Sequence, residues 1–181
     1  MAEPLAVPAE LAVSLGVPVD DAKLLWALNA ASRRFRGAVR HPVSVVRGDT
    51  FTLDGTGHQS VHLPAAPVLA VSSVVLDGQA LTEGTDFAWS ADGFLRRLGG
   101  CWPDKLRCIS GVYDHGYDSI PEDIQEVVID QARALYRIEP GLASKTVGGQ
   151  SVQFGTQAAI GVTAQWSAAV ERYQLNRGDR A

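Results

Sequence analysis

Three Asp-Gly dipeptides, Asp54-Gly55, Asp77-Gly78 and Asp92-Gly93, punctuate the stretch from Val43 to Tyr113 and set narrow limits on how it can fold. Asp-Gly readily takes the positive φ angles of the tight turns that join neighbouring antiparallel strands. Between the dipeptides lie short runs rich in β-branched and aromatic residues, "VSVV", "TFTL", "SVHL", "VLAVSSVVL", "FAWS" and "LRCISGVY", which read as strands. The region is expected to be an antiparallel β module over 43-113. In "LPAAPVLAV", Pro64 and Pro67 lack a backbone donor, so they mark the start of a strand or a sheet edge and not a sheet centre.

Helical periodicity flanks the module on both sides. Pro8 suits the first turn of a short helix over 8-15, "PAELAVSL", and Gly16 suits the left-handed position that closes it. Asp20 or Asp21 can cap a second helix over 20-37, in which Leu24, Leu28, Ala31 and Phe35 form one apolar stripe. Arg33, Arg34, Arg36 and Arg40 gather near its end, where the helix dipole favours positive charge, and read as a solvated face, with a patch facing DNA or a protein partner as the sharper alternative. After the module, a third helix is expected over 121-138, with Ile124, Val128, Leu135 and Ile138 on one side and Glu126, Asp130, Arg133 and Arg137 on another. Pro121 fits its first turn, Glu122 and Asp123 fit its positive end, and the capping residue is either Ser119 or Ile120. Helices on both sides of an antiparallel β region make the chain α+β.

Beyond Ile138, residues 139-162 are rich in glycine and small polar side chains, sustain no period, and read as an extended arm. Thr163 can cap a last helix, "AQWSAAVERYQLNR", with Trp166, Ala169, Val170 and Tyr173 along one side. That helix is too short to be stable alone in water. The division expected is a core over 1-138 and a tail over 139-181 that orders by docking, with Trp166, Val170 and Tyr173 as partner-binding residues.

A chain of 181 residues supports one main core, and its formal charge of −4 disfavours a partner held by phosphate charge alone. The N-terminal "MAEPLAVPAELAVSLGV" has no basic stretch and is broken by Pro4 and Pro8, so it does not read as a secretory signal. No apolar run reaches about 18 residues, so neither a spanning helix nor a membrane partner is expected. Cys101 and Cys108 match neither a CxxC pair nor a dense disulfide framework, and read as reduced thiols of a protein made in a cytoplasm.

The stretch "GVYDHGYDSIPEDI" draws the eye because His115 lies between Asp114 and Asp118, the start of an acid–base pair. Sequence neighbours around a turn seldom converge on one reacting atom, and catalysis needs further groups in mutual reach. Gly116 explains itself as the turn residue and Tyr113 and Tyr117 as packing anchors, so the stretch reads as a structural joint in which His115→Ala should change little. His58 and His62, expected on one face of a strand, have no third ligand nearby. "GTGHQS" lacks the lysine of a phosphate loop, and "VGGQS" reads more simply as a flexible arm than as an anion nest. No catalytic, cofactor-binding or metal-binding residue is assigned, and no cofactor is expected.

A combination of local patterns does stand out. Leu63, Pro64, Pro67 and Val68 give L-P-x-x-P-V; Gly84, Asp86 and Phe87 give G-x-D-F; Gly100, Trp102 and Pro103 give G-x-W-P. "YDHGYDSIPEDI" supplies Y-x-H-G-Y followed by P-x-D-I. With the order of helices and strands over residues 8 to 177, the chain resembles the head-to-tail adaptor (connector) proteins of long-tailed bacteriophages, and among them those of phages infecting actinobacteria. "VVLDG", with Leu76 before the aspartate, departs from the commoner valine. The resemblance implies a small helical bundle with an inserted antiparallel β module and an extended C-terminal arm ending in a short helix. It implies a structural virion protein without enzymatic activity, one of about a dozen copies in a homo-oligomeric ring under the portal. Its partners would be the portal protein, adjacent adaptor subunits, a head-closure or other neck protein, and DNA passing without sequence-specific binding. A head-closure or tail-terminator protein is the alternative within virion assembly, and a small enzyme a more remote one.

Overall fold

Asp21 sets the start of the main helix: its Oδ1 accepts a hydrogen bond from the Leu24 amide at 2.7 Å, which satisfies a donor the helix leaves open. The computed structural model describes residues 3-137, 144-147, 150-153 and 163-174. These divide into two compact units, one from the described parts of Met1–Arg40 and Ile120–Ala181, the other from His41–Ser119.

The first unit is helical. Helix α1 (Pro8–Leu15) has Pro8 in its first turn and ends at Gly16 in the left-handed conformation. Helix α2 (Ala22–Val39) runs past the expected end at Gly37, because the left-handed position that closes it falls on Arg40, φ 64°. Helix α3 (Glu122–Arg137) begins where expected, and Gln125 Nε2 donates to the Ile120 carbonyl beneath its first turn. Helix α4 (Ala164–Tyr173) is capped by Thr163, whose Oγ1 accepts from the Trp166 amide at 3.1 Å. Helices α2 and α3 pack along each other, and α1 and α4 each touch both. The core holds the anticipated stripe, Leu24, Leu28, Ala31 and Phe35, against Ile124, Val128 and Leu135.

The second unit is antiparallel β, but it forms two sheets. Its strands are β1 (Val46–Gly55), β2 (Ser60–His62), β3 (Val68–Leu76), β4 (Gln79–Leu81), β5 (Phe87–Trp89), β6 (Phe94–Arg97) and β7 (Lys105–His115). One sheet has the order β1-β7-β3-β4 and the other β2-β6-β5. Two of the three Asp-Gly pairs turn hairpins. Asp77 and Gly78, φ 49° and 86°, join β3 to β4, and Gly93, φ 89°, lies between β5 and β6. Asp54-Gly55 instead closes β1, where Asp54 Oδ1 accepts from the Arg107 amide at 2.7 Å. Strand β3 starts directly after Pro67 and lies between β7 and β4, so the prolines mark a strand start and not an edge.

A third element departs from expectation. Strands β8 (Ser144–Val147) and β9 (Gln150–Gln153) form an antiparallel hairpin within the stretch that reads as a featureless arm. Gly148-Gly149 between them is a pair that two-residue hairpins favour, and that signal outweighs the low apolar content. Ile138, the other arm residues, the glycines of "VGGQS" and the tail beyond Gln174 lie outside the described residues.

Candidate interaction surfaces

The "YDHGYD" stretch is the end of β7 and the turn after it. His115 pairs in register with Val46 of β1 and Val68 of β3, so it is flanked on both sides at the end of an inner strand. Its ring is 1% exposed, stacks on Tyr113 with centroids 4.6 Å apart, and shares a 3.0 Å hydrogen bond through Nε2 with Asp49 Oδ2. Nδ1 is buried without a partner. Tyr113 packs edge-on to Phe51 at 5.4 Å. Burial first, and the Asp49 charge second, push the Tyr113 phenol up to about 12, while a hydrogen bond with the Ala65 backbone pulls the other way. Gly116, φ 93°, donates to the Pro67 carbonyl, and a Cβ there would collide with the Ser44 carbonyl. Asp114 accepts from the Gly48 amide at 2.7 Å and pairs with Arg47, which also holds Asp118 at 3.0 Å. Every one of these groups closes the fold, which supports the joint. Neutrality of His115→Ala does not follow, however, because the ring is core.

Of the other histidines, His62 lies in β2 with its ring 4.2 Å from Phe94, whereas His58 precedes the strand and gives its carbonyl to the Trp102 amide. The two do not share a strand face. Among the described residues no group of three or more His, Cys, Asp or Glu is placed to hold a metal ion. Cys101 is exposed, Cys108 is buried, and they are not bonded to each other.

Trp166, Val170 and Tyr173 do fall on one side of α4, but that side has a home in its own unit. The Trp166 ring is buried and meets Phe35 of α2 edge-on, centroids 5.3 Å apart. Tyr173 donates its hydroxyl hydrogen to Asp123 at 2.9 Å, and Arg172 pairs with the same carboxylate at 3.0 Å. Val170 and Tyr173 are half-buried. These contacts seat the helix within its own unit and leave Val170 and Tyr173 partly open to a partner. The surface under the helix comes from α2 and α3.

The outward flank of α2 offers more than the solvated basic face expected of it. Trp26 is 56% exposed and Leu25 36%, and Arg33 and Arg34, one to two turns on, are exposed and form no ion pair within the described residues. Gly37 follows on the same flank with nothing near where a Cβ would stand and no left-handed backbone. A glycine inside a helix costs about 0.5–1 kcal/mol relative to alanine, and nothing inside the subunit requires it. The flank of α1 and α3 has the opposite character. Glu10, Glu122, Gln125, Glu126 and Asp130 line a groove between these helices, with Val13, 85% exposed, one turn on from Glu10. Asp130 is paired with Arg133 at 2.7 Å, whereas Glu10, Glu122 and Glu126 are exposed and form no ion pair within the described residues.

No protein-family model and no curated protein matches the chain. Solved structures do. A chain from the neck of a native GTA particle, computed with C12 symmetry, superposes with a TM-score of 0.54 at 20% identity, covering 100% of this chain and 96% of that one. A chain from the neck of an empty GTA particle, computed with C6 symmetry, gives 0.53 at 20% identity, covering 99% and 94%. A chain from the virion of a native gene transfer agent (GTA) particle gives 0.51 at 19% identity, covering 97% and 91%. Along nearly its whole length, the chain shares its fold with proteins of gene transfer agent necks.

Proposed function

We propose that this protein is a structural component of a virion neck: an adaptor that forms a ring under the portal, joins the DNA-filled head to the rest of the neck and tail, and extends the DNA channel. The observation that carries this reading is the end-to-end fold match to a chain of a neck computed with C12 symmetry. The local patterns of "LPAAPV", "GCWP" and "YDHGYDSIPEDI" point the same way. An acidic chain suits a channel through which DNA must slide, because dense basic charge would hold it at physiological salt. The partners on this reading are the portal, adjacent copies of the adaptor and a further neck protein, without enzymatic activity. Contact with the portal runs through the tail, where Trp166 seats α4 and Val170 and Tyr173 lie at the margin of the seat. The test is cosedimentation with DNA-filled, tailless heads followed by negative-stain imaging. A ring capping the portal vertex is the expected result, and failure of the folded protein to associate with heads overturns the reading.

A further inference from the structure

The two flanks of the helical unit differ in sign. Helices α1 and α4 each touch both α2 and α3, and the faces these contacts leave uncovered are the two flanks. One flank carries exposed Trp26 with Arg33 two turns on and Arg34 at its edge; the other carries Val13 beside Glu10, Glu122 and Glu126. We infer that the α2 flank of one copy seats on the α1/α3 flank of the next, head to tail, and that this is the contact that builds the ring, an inference that rests on the adaptor reading above.

Three features favour this occupant over another. Trp26 is a large, rigid side chain of the kind that dominates interface energetics, and it stands in solvent in the single copy. Gly37, unexplained within the subunit, lets a neighbouring surface approach the α2 backbone. Charge then decides the orientation: an α2-to-α2 contact about a two-fold axis would set Arg33 and Arg34 against the same residues of the other copy, whereas head-to-tail pairing sets them against carboxylates. A repeated contact between two different surfaces closes into a ring when the rotation between copies allows it.

Two variants test the contact, one at each flank: Trp26→Ala with Arg33→Glu, and Glu10→Lys with Glu126→Lys. All four side chains are exposed, and circular dichroism checks that the helices remain. By sedimentation velocity the wild-type chain should assemble and each variant alone should stay a monomer. Mixed in equal amounts, the variants retain one good flank each that fit together, so the mixture should associate where neither variant alone does. Assembly of either variant like wild type, a mixture that stays monomeric, or a wild-type chain that remains monomeric at its highest soluble concentration overturns the inference. If a variant loses helicity, Trp26→Gln and Glu126→Gln replace it, each expected to weaken association about tenfold or more, and unchanged association again overturns it. Head binding separates the two ideas. A monomeric wild-type chain that still caps heads leaves the adaptor reading standing without this contact, and a ring that ignores heads does the reverse.

Discussion

The helical unit leaves more of its charged groups without an ion-pair partner than the β unit does, among the described residues. In the β unit, Arg47 holds Asp114 and Asp118, Lys105 holds Asp77, and Arg96 bonds Gln59. Glu83 takes the indole N–H of Trp89, and Asp54 and Asp86 receive backbone amides. In the helical unit Asp130 and Asp123 are held by Arg133 and Arg172, but Arg33 and Arg34 on α2 and Glu10, Glu122 and Glu126 on α1 and α3 have no ion-pair partner within the described residues. The same unit exposes Trp26 and Val13. The β unit uses its polar side chains to fix turns and register, and the helical unit is held by apolar packing that leaves its charged flanks outward. On the proposal above, this contrast assigns assembly to the helices and conformational precision to the sheets.

The strongest way to break this contrast is at the joint. Gly116→Val places a side chain against the Ser44 carbonyl at a φ of 93°, so it should cost about 4 kcal/mol or more. Urea unfolding of the purified variant measures it, and a loss below about 1 kcal/mol would show that the turn is not the rigid element described. Next comes a pair of tryptophans. Trp166→Ala empties a buried site against Phe35 and should cost about 3–5 kcal/mol, while Trp26→Ala, at an exposed position, should shift stability by no more than about 0.5 kcal/mol. Equal costs in thermal or urea melts would erase the distinction between core and assembly surface.

A smaller effect sharpens the account of the β unit. The Tyr113 phenol titrates at about 12 when folded and near 10 when unfolded. Between those values the folded state keeps the proton that the unfolded state loses. Stability is therefore intact below about pH 10 and falls by up to about 1.4 kcal/mol per unit as pH rises from 10 to 12. Tyr113→Phe should flatten this part of the pH profile, and an identical alkaline slope in both proteins would place its origin elsewhere. The smallest effect is Gly37→Ala, expected to stabilise the isolated subunit by about 0.5–1 kcal/mol while weakening its self-association. A gain in both would show that the glycine makes no room for a neighbour.

What could be read from the chain depended on how local the cause was. The apolar stripe of α2, the Asp21 cap and the starts of α1 and α3 are set within a few residues, and the structure has them where the periodicity places them. The turns at Asp77-Gly78 and Gly93 were legible for the same reason. The split into two sheets was not, because β1 finds β7 and β2 finds β6 across long stretches of sequence that no dipeptide records. Leu63, Val68, Phe87, Trp102 and Tyr113, which carry the recognisable patterns, are all buried, so those patterns mark core positions of the β unit and say little about surfaces. The stripe of α4 announced that one side of the helix is covered but not by what. The hairpin of β8 and β9 and the oddity of Gly37 both turned on glycine, a residue whose reason for being present becomes visible only with its surroundings.

The helical unit is written in two instalments, with His41–Ser119 between them. A ribosome makes roughly 5–20 residues per second, so α1 and α2 wait for seconds before α3 exists to cover Leu24, Leu28 and Phe35. The pairings of the β unit all lie within its own stretch, and it can close during that wait. In this chain the inserted piece is the first to be able to mature, and the N-terminal helices, though made first, are among the last to find shelter.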